Sequence, residues 1–478
     1  MNQSIISEMK KVLEIQKQLH IQEGPPSLQL RKDRLDRCIA MIKKYQEKII
    51  SSLQEDFGNR DPVMSMATEV ASAIGPLEYA KKHVSKWIKP EKRKAEIAPL
   101  GPLLGLMGAS ARIQYQPLGT IGCISPWNFP VNLVMAPLGG ILAAGNRAMI
   151  KPSEHTPSTS NITKKMFEEF FNQEEIAVFT GDPEVGAAFS SLPFDHLIFT
   201  GGTAIAKHVM KAASENLVPL TLELGGKSPV VVGKNSDISS AAIRVMQGKT
   251  MNAGQICLAP DYAFVPKDKL DEFVKESVKA VSAMYPSLKD NDDYTSIINE
   301  KHFERIKSYL DDAKDKGAEL VEINPSDEDF SQQPHYKIPP TLVLNPSEDM
   351  KLMQEEIFGP VLPIKSYEKV EESVDFINTK ERPLGLYYFG NDKKEQDYVL
   401  KNTTSGGVTV NDVISHVTME TLPFGGVGPS GMGSYHGYDG FKEFSHAKSI
   451  YKQTKINLNK LAGLVPPYKS KTDKASSL

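Results

Sequence analysis

The sequence predicts an α/β protein built on parallel sheets, with a small β-element set apart from them. Three observations carry this. Between residues 119 and 224 apolar runs recur at roughly 20 to 30 residue intervals with helix-like segments between them, the rhythm of right-handed βαβ units. From 225 to about 405 the alternation returns. From Glu96 to Gln116 it gives way to short pieces broken by Pro99, Gly101, Pro102, Gly105 and Gly108. That stretch ends where Ile113 and Tyr115 alternate with polar neighbours, a strand signal.

Taken in order, residues 1 to about 90 read as helices. Ile5, Met9, Val12 and Leu13, then Leu35, Ile39, Ile42, Ile49 and Leu53, recur near the 3.6-residue period. Gly24-Pro25-Pro26 separates the first two. The stretch from Glu96 to Gln116 reads as a β-ribbon whose free edge suits a dimer contact. Strands are then expected at Thr120–Ile124, Arg147–Lys151, Ala177–Thr180, His196–Thr200 and Leu220–Leu224. In the second half they are expected at Pro229–Val232, Tyr262–Val265, Thr341–Leu344 and Leu386–Phe389. Helices are expected at Lys267–Ala283, Glu300–Lys316 and Lys393–Lys401. Gly406 to Asn411 reads as a strand returning to the core, and Leu422 to Gly433 as a glycine-rich loop. The tail from Ala447 has seven lysines and one acid and reads as a solvated surface.

Composition narrows the function. The 478 residues allow about three domains. A net charge of -3 gives no reason to invoke nucleic acid. Three cysteines, Cys38, Cys123 and Cys257, cannot form a disulfide framework and suit a reducing, cytoplasmic setting. None sits at metal-ligand spacing, so no metal is expected. The long uncharged run from Ile113 to Asn146 is broken by four prolines and five glycines. It reads as buried core, and no stable membrane anchor is expected.

The chemistry centres on Gly254-Gln255-Ile256-Cys257-Leu258, where a thiol follows a helical run and a small turn. Only the thiolate is a nucleophile, and a free thiol has a pKa of about 8.5. Glu223 stands 34 positions earlier, at the end of an apolar run. Asn128 lies 95 positions before that, inside Pro126-Trp127-Asn128-Phe129-Pro130. The trio could serve as nucleophile, base and oxyanion donor. Asn128, Lys151, Gly201 and Glu223 all fall at or just beyond expected strand ends, where open α/β sheets bind ligands. No Gly-x-Gly-x-x-Gly is present. Instead Phe199-Thr200-Gly201-Gly202-Thr203 follows a strand and opens a helix whose free N–H groups could meet a pyrophosphate.

Five motifs stand in order: Pro126 to Pro130, Glu223-Leu224-Gly225-Gly226-Lys227, Gly254 to Cys257, Glu355-Glu356-Ile357-Phe358-Gly359-Pro360, and Pro423 to Gly433. Together they resemble the NAD(P)-dependent aldehyde dehydrogenases over nearly the whole chain. The spacings and short N-terminus are similar to the class 3 branch. Gly431 to Tyr438 and Gly108 to Gln116 resemble bacterial coniferyl aldehyde dehydrogenases within it. The resemblance implies a Rossmann-like cofactor domain (1–96 and 119–222), a catalytic α/β domain (223–405), a bridging element (97–118 and 406–446) that makes homodimers, and a C-terminal tail (447–478).

It also implies roles. Cys257 would add to an aldehyde carbonyl to give a thiohemiacetal. Asn128 and the Cys257 N–H would hold the oxyanion, a contribution of roughly 3–4 kcal/mol per donor. Glu223 would activate water against the thioester. Trp127, Lys151, Glu154, Gly201, Gly202, Thr203, Leu224, Glu356 and Phe358 would contact the cofactor. A carboxylate at Glu154 would repel a 2′-phosphate, favouring NAD, with NADP possible. The family usually has serine or asparagine at Gly202 and glycine at Ala206. Tyr79, Phe424 and His436 are candidates for an entry tunnel.

The expected substrate is an aldehyde, aromatic by the sub-branch resemblance, with medium-chain aliphatic aldehydes as the alternative. Glu223 argues against a CoA-acylating enzyme. No hydrolase cysteine motif is present. An inactive binding protein of the same fold is the alternative of another class, and the presence of all three chemical residues argues against it.

Overall fold

The computed structural model describes residues 2–94, 101–461 and 465–467. The N-terminal third is helical: Asn2–Glu23, Leu28–Phe57, then a run from Pro62 to Trp87 interrupted by a π-helical turn at Met66–Ala71. Ser27 and Asp61 cap the second and third helices by accepting from Leu30 and Met64 N–H. The sequence-expected break at Gly24 lies in the left-handed region, φ 68°.

Two sheets form the body. The first has six strands in the order Gly431–Met432, Leu220–Glu223, His196–Thr200, Thr120–Ile124, Arg147–Lys151, Ile176–Val178. All pair in parallel except the first, which is antiparallel to Leu220–Glu223. The central strands are buried on both faces, which is why they read as continuous apolar runs. The second sheet has seven strands: Glu319–Glu322, Thr341–Leu344, Val361–Tyr367, Tyr262–Pro266, Pro229–Val232, Gly385–Phe389, Gly407–Val410. Only Glu319–Glu322 runs antiparallel. A third, antiparallel sheet joins Glu91–Arg93, Ser110–Pro117 and Ser445–Lys452.

Several expectations need correction. The stretch Glu96 to Gln116 is not all ribbon. Its strand is Ser110–Pro117, and a helical turn, Gly101–Leu106, precedes it; residues 95–100 lie outside the described residues. The partner strand Ser445–Lys452 crosses the boundary placed between 446 and 447, so the start of the lysine-rich tail is part of this sheet. Its burial pattern is almost wholly exposed, so no apolar alternation marks it. Nor does 406–446 form one bridging piece. Gly407–Val410 closes the second sheet and Gly431–Met432 edges the first. The strand expected at Ala177–Thr180 is Ile176–Val178. Val361–Tyr367, a central strand, was not expected. Its Pro363 lacks an N–H, which ordinarily argues against a central position.

Among the described residues no helix is long and apolar enough to cross a membrane.

Candidate active site

The turn before Cys257 is set by backbone conformation. Asn252, Ala253 and Gly254 have φ of 49°, 51° and 74°, three left-handed residues in succession. A Cβ on Gly254 would stand 2.3 Å from the Gly359 carbonyl oxygen, so no larger residue fits. Gln255 locks the turn. Its side-chain amide donates to Asn252 O and Ser296 O, both at 2.9 Å, and accepts from Ile298 N–H at 3.0 Å.

Asn128 is buried and donates through Nδ2 to Gln255 O at 3.1 Å. Behind it, Arg60 and Glu69 form an ion pair at 3.0 Å, both with no exposed side-chain surface. Arg60 Nη1 donates to Asn128 O at 2.9 Å. Glu69, in the π-helical turn, accepts from Val131 and Asn132 N–H at 3.0 and 2.9 Å. The loop that carries Asn128 is therefore gripped from both sides by one buried charge pair. π-Turns recur at functional sites.

Glu223 ends its strand, and neither buried carboxylate oxygen has a hydrogen-bond partner among the described residues. Burial first, and the Glu443 carboxylate second, raise its carboxyl well above the ordinary range. Leu222 and Leu224 are buried with it. The Cys257 thiol is pushed up to about 12, by burial first and then by the negative charges of Glu356 and Glu223. Glu356 is itself pushed up to about 8 by burial and Asp261. Cys38 and Cys123 are buried in the core, and burial raises both thiols.

Two cavities meet at the cysteine. One, of about 210 Å³, is lined by Trp127, Asn128, Gly201, Gly202, Glu223, Leu224, Gly225, Cys257, Glu356 and Phe358, with Pro126, Leu133, Thr200, His302 and Arg305. The other, of about 410 Å³, is lined largely by apolar side chains including Phe129, Leu133, Met251, Ile256, Val413, Ile414, Val417 and Phe424. Leu133, Thr200, Glu223, Leu224 and Cys257 belong to both. A wider groove of about 910 Å³ beside the helix Glu300–Asp315 contains none of the expected residues.

The smaller cavity fits a dinucleotide end. A Cβ at Gly202 would meet nothing within 4 Å, so the mouth of the helix Thr203–Ser214 is open, and Gly202 makes no side-chain cap there. A Cβ at Gly225 would lie 2.3 Å from the Glu356 carboxylate, so glycine is what lets that carboxylate approach. The Trp127 ring meets Phe358 edge-on at 5.4 Å. Ala206, where the pattern departs, is buried on the inner face of the helix.

Three expected cofactor residues do not line this cavity. Lys151 and Glu154 lie beyond the end of Arg147–Lys151, paired at 3.2 Å, and Lys151 Nζ also donates to Pro152 O at 2.9 Å. Thr203 begins its helix and donates to Pro429 O at 3.3 Å. Of the tunnel candidates, Phe424 lines the larger cavity. His436 stacks behind it at 5.2 Å, and Tyr79 packs on His83 at 4.3 Å; neither is among the lining residues.

Residues the sequence reading did not single out are also here. His302 packs on Trp127 at 5.1 Å. Its Nδ1 is buried without a partner, and burial lowers its pKa to about 4. Arg305 donates to Glu356 O at 3.3 Å. His302 and Arg305 are i and i+3 on one helix, so their shared face was the available signal.

Residues 24–450 match the model of the Aldehyde dehydrogenase family. A probable coniferyl aldehyde dehydrogenase of Caulobacter vibrioides is 58% identical over 460 residues, covering 96% of this chain and 94% of that one. A coniferyl aldehyde dehydrogenase of a Pseudomonas species is 51% identical, covering 96% of this chain and 94% of that protein. The solved substrate-bound state of Staphylococcus aureus AldH has a TM-score of 0.89 and 36% identity, covering 98% of both chains.

Proposed function

The chain belongs to the aldehyde dehydrogenase family, and from that premise we propose that it oxidises an aromatic aldehyde of the coniferyl type, with NAD, through a covalent intermediate on Cys257. Oxidation of an aldehyde to the acid with NAD(P) is the chemistry of this family. The observation that carries the proposal is the meeting of two cavities at one thiol, beside a buried carboxylate with no partner.

In this reading the Cys257 thiol gives its proton to water, and the thiolate adds to the carbonyl carbon from the larger cavity, the carbonyl π pair moving to oxygen, to form a thiohemiacetal anion. Asn128 Nδ2 and the Cys257 N–H hold the negative oxygen. Trp127, Gly201, Gly202, Glu356 and Phe358 would hold a nicotinamide in the smaller cavity, where it would supply the acceptor for the hydride whose loss leaves a thioester on Cys257. Glu223 then takes a proton from the water that attacks the thioester. A carboxyl raised by burial suits a base that must act near neutral pH. Glu356 would hold the nicotinamide ribose. Lys151 and Glu154 would hold the adenosine ribose, and the Glu154 carboxylate supports NAD over NADP.

The names of the similar proteins and the largely apolar lining of the larger cavity support the aromatic substrate. Three cysteines without a disulfide framework support a cytoplasmic enzyme. The exposed Ser445–Lys452 edge supports a dimer formed through the three-stranded sheet. The three sheets support a division into cofactor, catalytic and bridging domains, the bridging element built on Glu91–Arg93, Ser110–Pro117 and Ser445–Lys452.

The test is steady-state formation of reduced nicotinamide with a panel of cinnamyl and medium-chain aliphatic aldehydes, NAD against NADP. The expected result is the highest kcat/KM for a cinnamyl aldehyde with NAD. Higher kcat/KM for aliphatic aldehydes would move the substrate class, and no turnover of any aldehyde would end the reading.

A further inference from the structure

Arg244 and Asp412 stand together at the outer end of the larger cavity, and both line it. Their ion pair is long, 3.6 Å, and half open to solvent, with side-chain exposures of 46% and 36%. Among the described residues Arg244 donates no closer bond, so a guanidinium with five donors faces the mouth nearly unspent. Asp412 accepts from Ser415 Oγ, which leaves acceptor positions free.

The helix Ile238–Thr250 gives a ruler. Arg244, Gln247 and Gly248 line the cavity from one face of that helix, and Met251, the residue that follows it, continues the wall. From Met251 outward to Arg244 that wall runs about 10 Å at 1.5 Å per residue. Gln247 and Gly248 lie between, and Phe129, Ile256 and Val413 are among the apolar side chains that make up most of the rest of the lining.

The loop bearing Asp412 is held under strain. Asn411 has φ 58° and Ile414 φ 65°. A β-branched residue in the left-handed region is costly, and such residues persist where surrounding contacts fix them. Here Asn411 N–H donates to Tyr388 O at 2.7 Å, and Asn411 Oδ1 accepts from Gly390 N–H at 2.8 Å. The result aims Asp412 and Ile414 at the cavity.

We propose that Arg244 and Asp412 form a specificity station for an oxygen substituent at the far end of an aryl aldehyde, Asp412 accepting from a ring hydroxyl and Arg244 donating to the ring oxygen. The inference rests on the aldehyde reading above and names the part of the substrate that selects it. A largely apolar cavity that carries a charged pair suits a flat apolar body with a polar tip. A plain alkyl chain leaves both charges without a new partner.

The test compares kcat/KM for cinnamaldehyde, its 4-methoxy derivative and its 4-hydroxy derivative. The unaltered protein is expected to prefer the hydroxylated aldehyde over cinnamaldehyde about tenfold, or about 1.4 kcal/mol. In Asp412→Ala the preference of hydroxy over methoxy falls to near one. In Arg244→Met the preference of both oxygenated aldehydes over cinnamaldehyde falls. Preferences that survive in both variants would overturn the station, as would an unaltered protein that turns over all three equally. No turnover of any of the three would overturn the aromatic substrate class and the station with it.

Discussion

The side-chain amide of Asn128 donates to the carbonyl of Gln255 at 3.1 Å, two residues ahead of Cys257. That one bond joins the loop after the first parallel strand to the turn that carries the thiol. It fixes the orientation of the amide, so its remaining N–H has a defined aim. Asn128→Ala is therefore expected to lower kcat by about a hundredfold or more, the loss of one oriented oxyanion donor. Pre-steady-state formation of the acyl intermediate should slow by the same factor. An unchanged rate of that step would remove the amide from the role.

The Arg60–Glu69 pair braces Asn128 from below. Glu69→Ala leaves a guanidinium buried and unpaired, and strands the Val131 and Asn132 N–H groups. Breaking one half of a buried pair costs about 3–5 kcal/mol. The melting temperature should fall by several degrees, together with a drop in kcat. A melt that matches the unaltered protein would show that the pair is not a brace.

The thiol of the free protein is held in its neutral form. With its pKa pushed up to about 12, the thiolate fraction and the rate of alkylation of Cys257 should rise steadily with pH across the neutral and alkaline range. Glu356 is pushed up to about 8, so it is neutral below that value and anionic above it. In Glu356→Gln the anion is gone, so alkylation at about pH 9 should exceed that of the unaltered protein, while at about pH 6 the two should agree. Stability follows the same carboxyl. Its folded pKa lies above its unfolded one, so its contribution is present below 4.5 and is lost as pH rises through about 8. Thermal melts of Glu356→Gln should thus lose less stability than the unaltered protein over that window. Equal alkylation rates at the alkaline end would contradict the coupling.

In the proposed reading, cofactor choice turns on the exposed carboxylate of Glu154. Glu154 is about a third exposed and paired with Lys151 at 3.2 Å. If Glu154 meets the adenosine ribose as proposed, Glu154→Gln removes the charge that would repel a 2′-phosphate and takes the carboxylate partner from Lys151. The ratio of kcat/KM for NADP over NAD should rise about tenfold, roughly 1.4 kcal/mol. The dissociation constants of the two cofactors, measured by fluorescence quenching without aldehyde, should move in the same direction.

What the sequence could reveal followed burial. Thr120–Ile124, Arg147–Lys151, His196–Thr200, Pro229–Val232 and Thr341–Leu344 are strands at the expected residues, because burial on both faces leaves an uninterrupted apolar run. Ser445–Lys452 is an exposed edge rich in lysine, and pairing there depends on a partner more than 300 residues away. No local pattern encodes it. The motifs named Asn128, Glu223 and Cys257 one by one. Their shared cavity depends on contacts across 95 and 34 residues, and the Arg60–Glu69 pair beneath them shows in the sequence only as two charges in helical surroundings. The thiol's raised pKa was equally hidden, since it comes from burial and from Glu356, which is nearly 100 residues away.

Glu223 gives the sharpest test of the order of steps. Its carboxylate has no partner among the described residues, so its oxygens are open to a water between it and the cysteine. Glu223→Gln keeps the shape and removes the base. Addition of Cys257 to the carbonyl and loss of hydride need no proton acceptor at residue 223 once the thiolate has formed. Hydrolysis of the thioester does. The expected trace is a burst of reduced nicotinamide close to one equivalent per site, then turnover slowed by 10²–10⁴-fold, the usual range for a lost general base. Acid-quenched protein should carry the acyl mass on the peptide containing Cys257. If the burst disappears and no acyl mass is found, Glu223 acts earlier, as the group that deprotonates the thiol. If steady turnover is unchanged, the base is another residue.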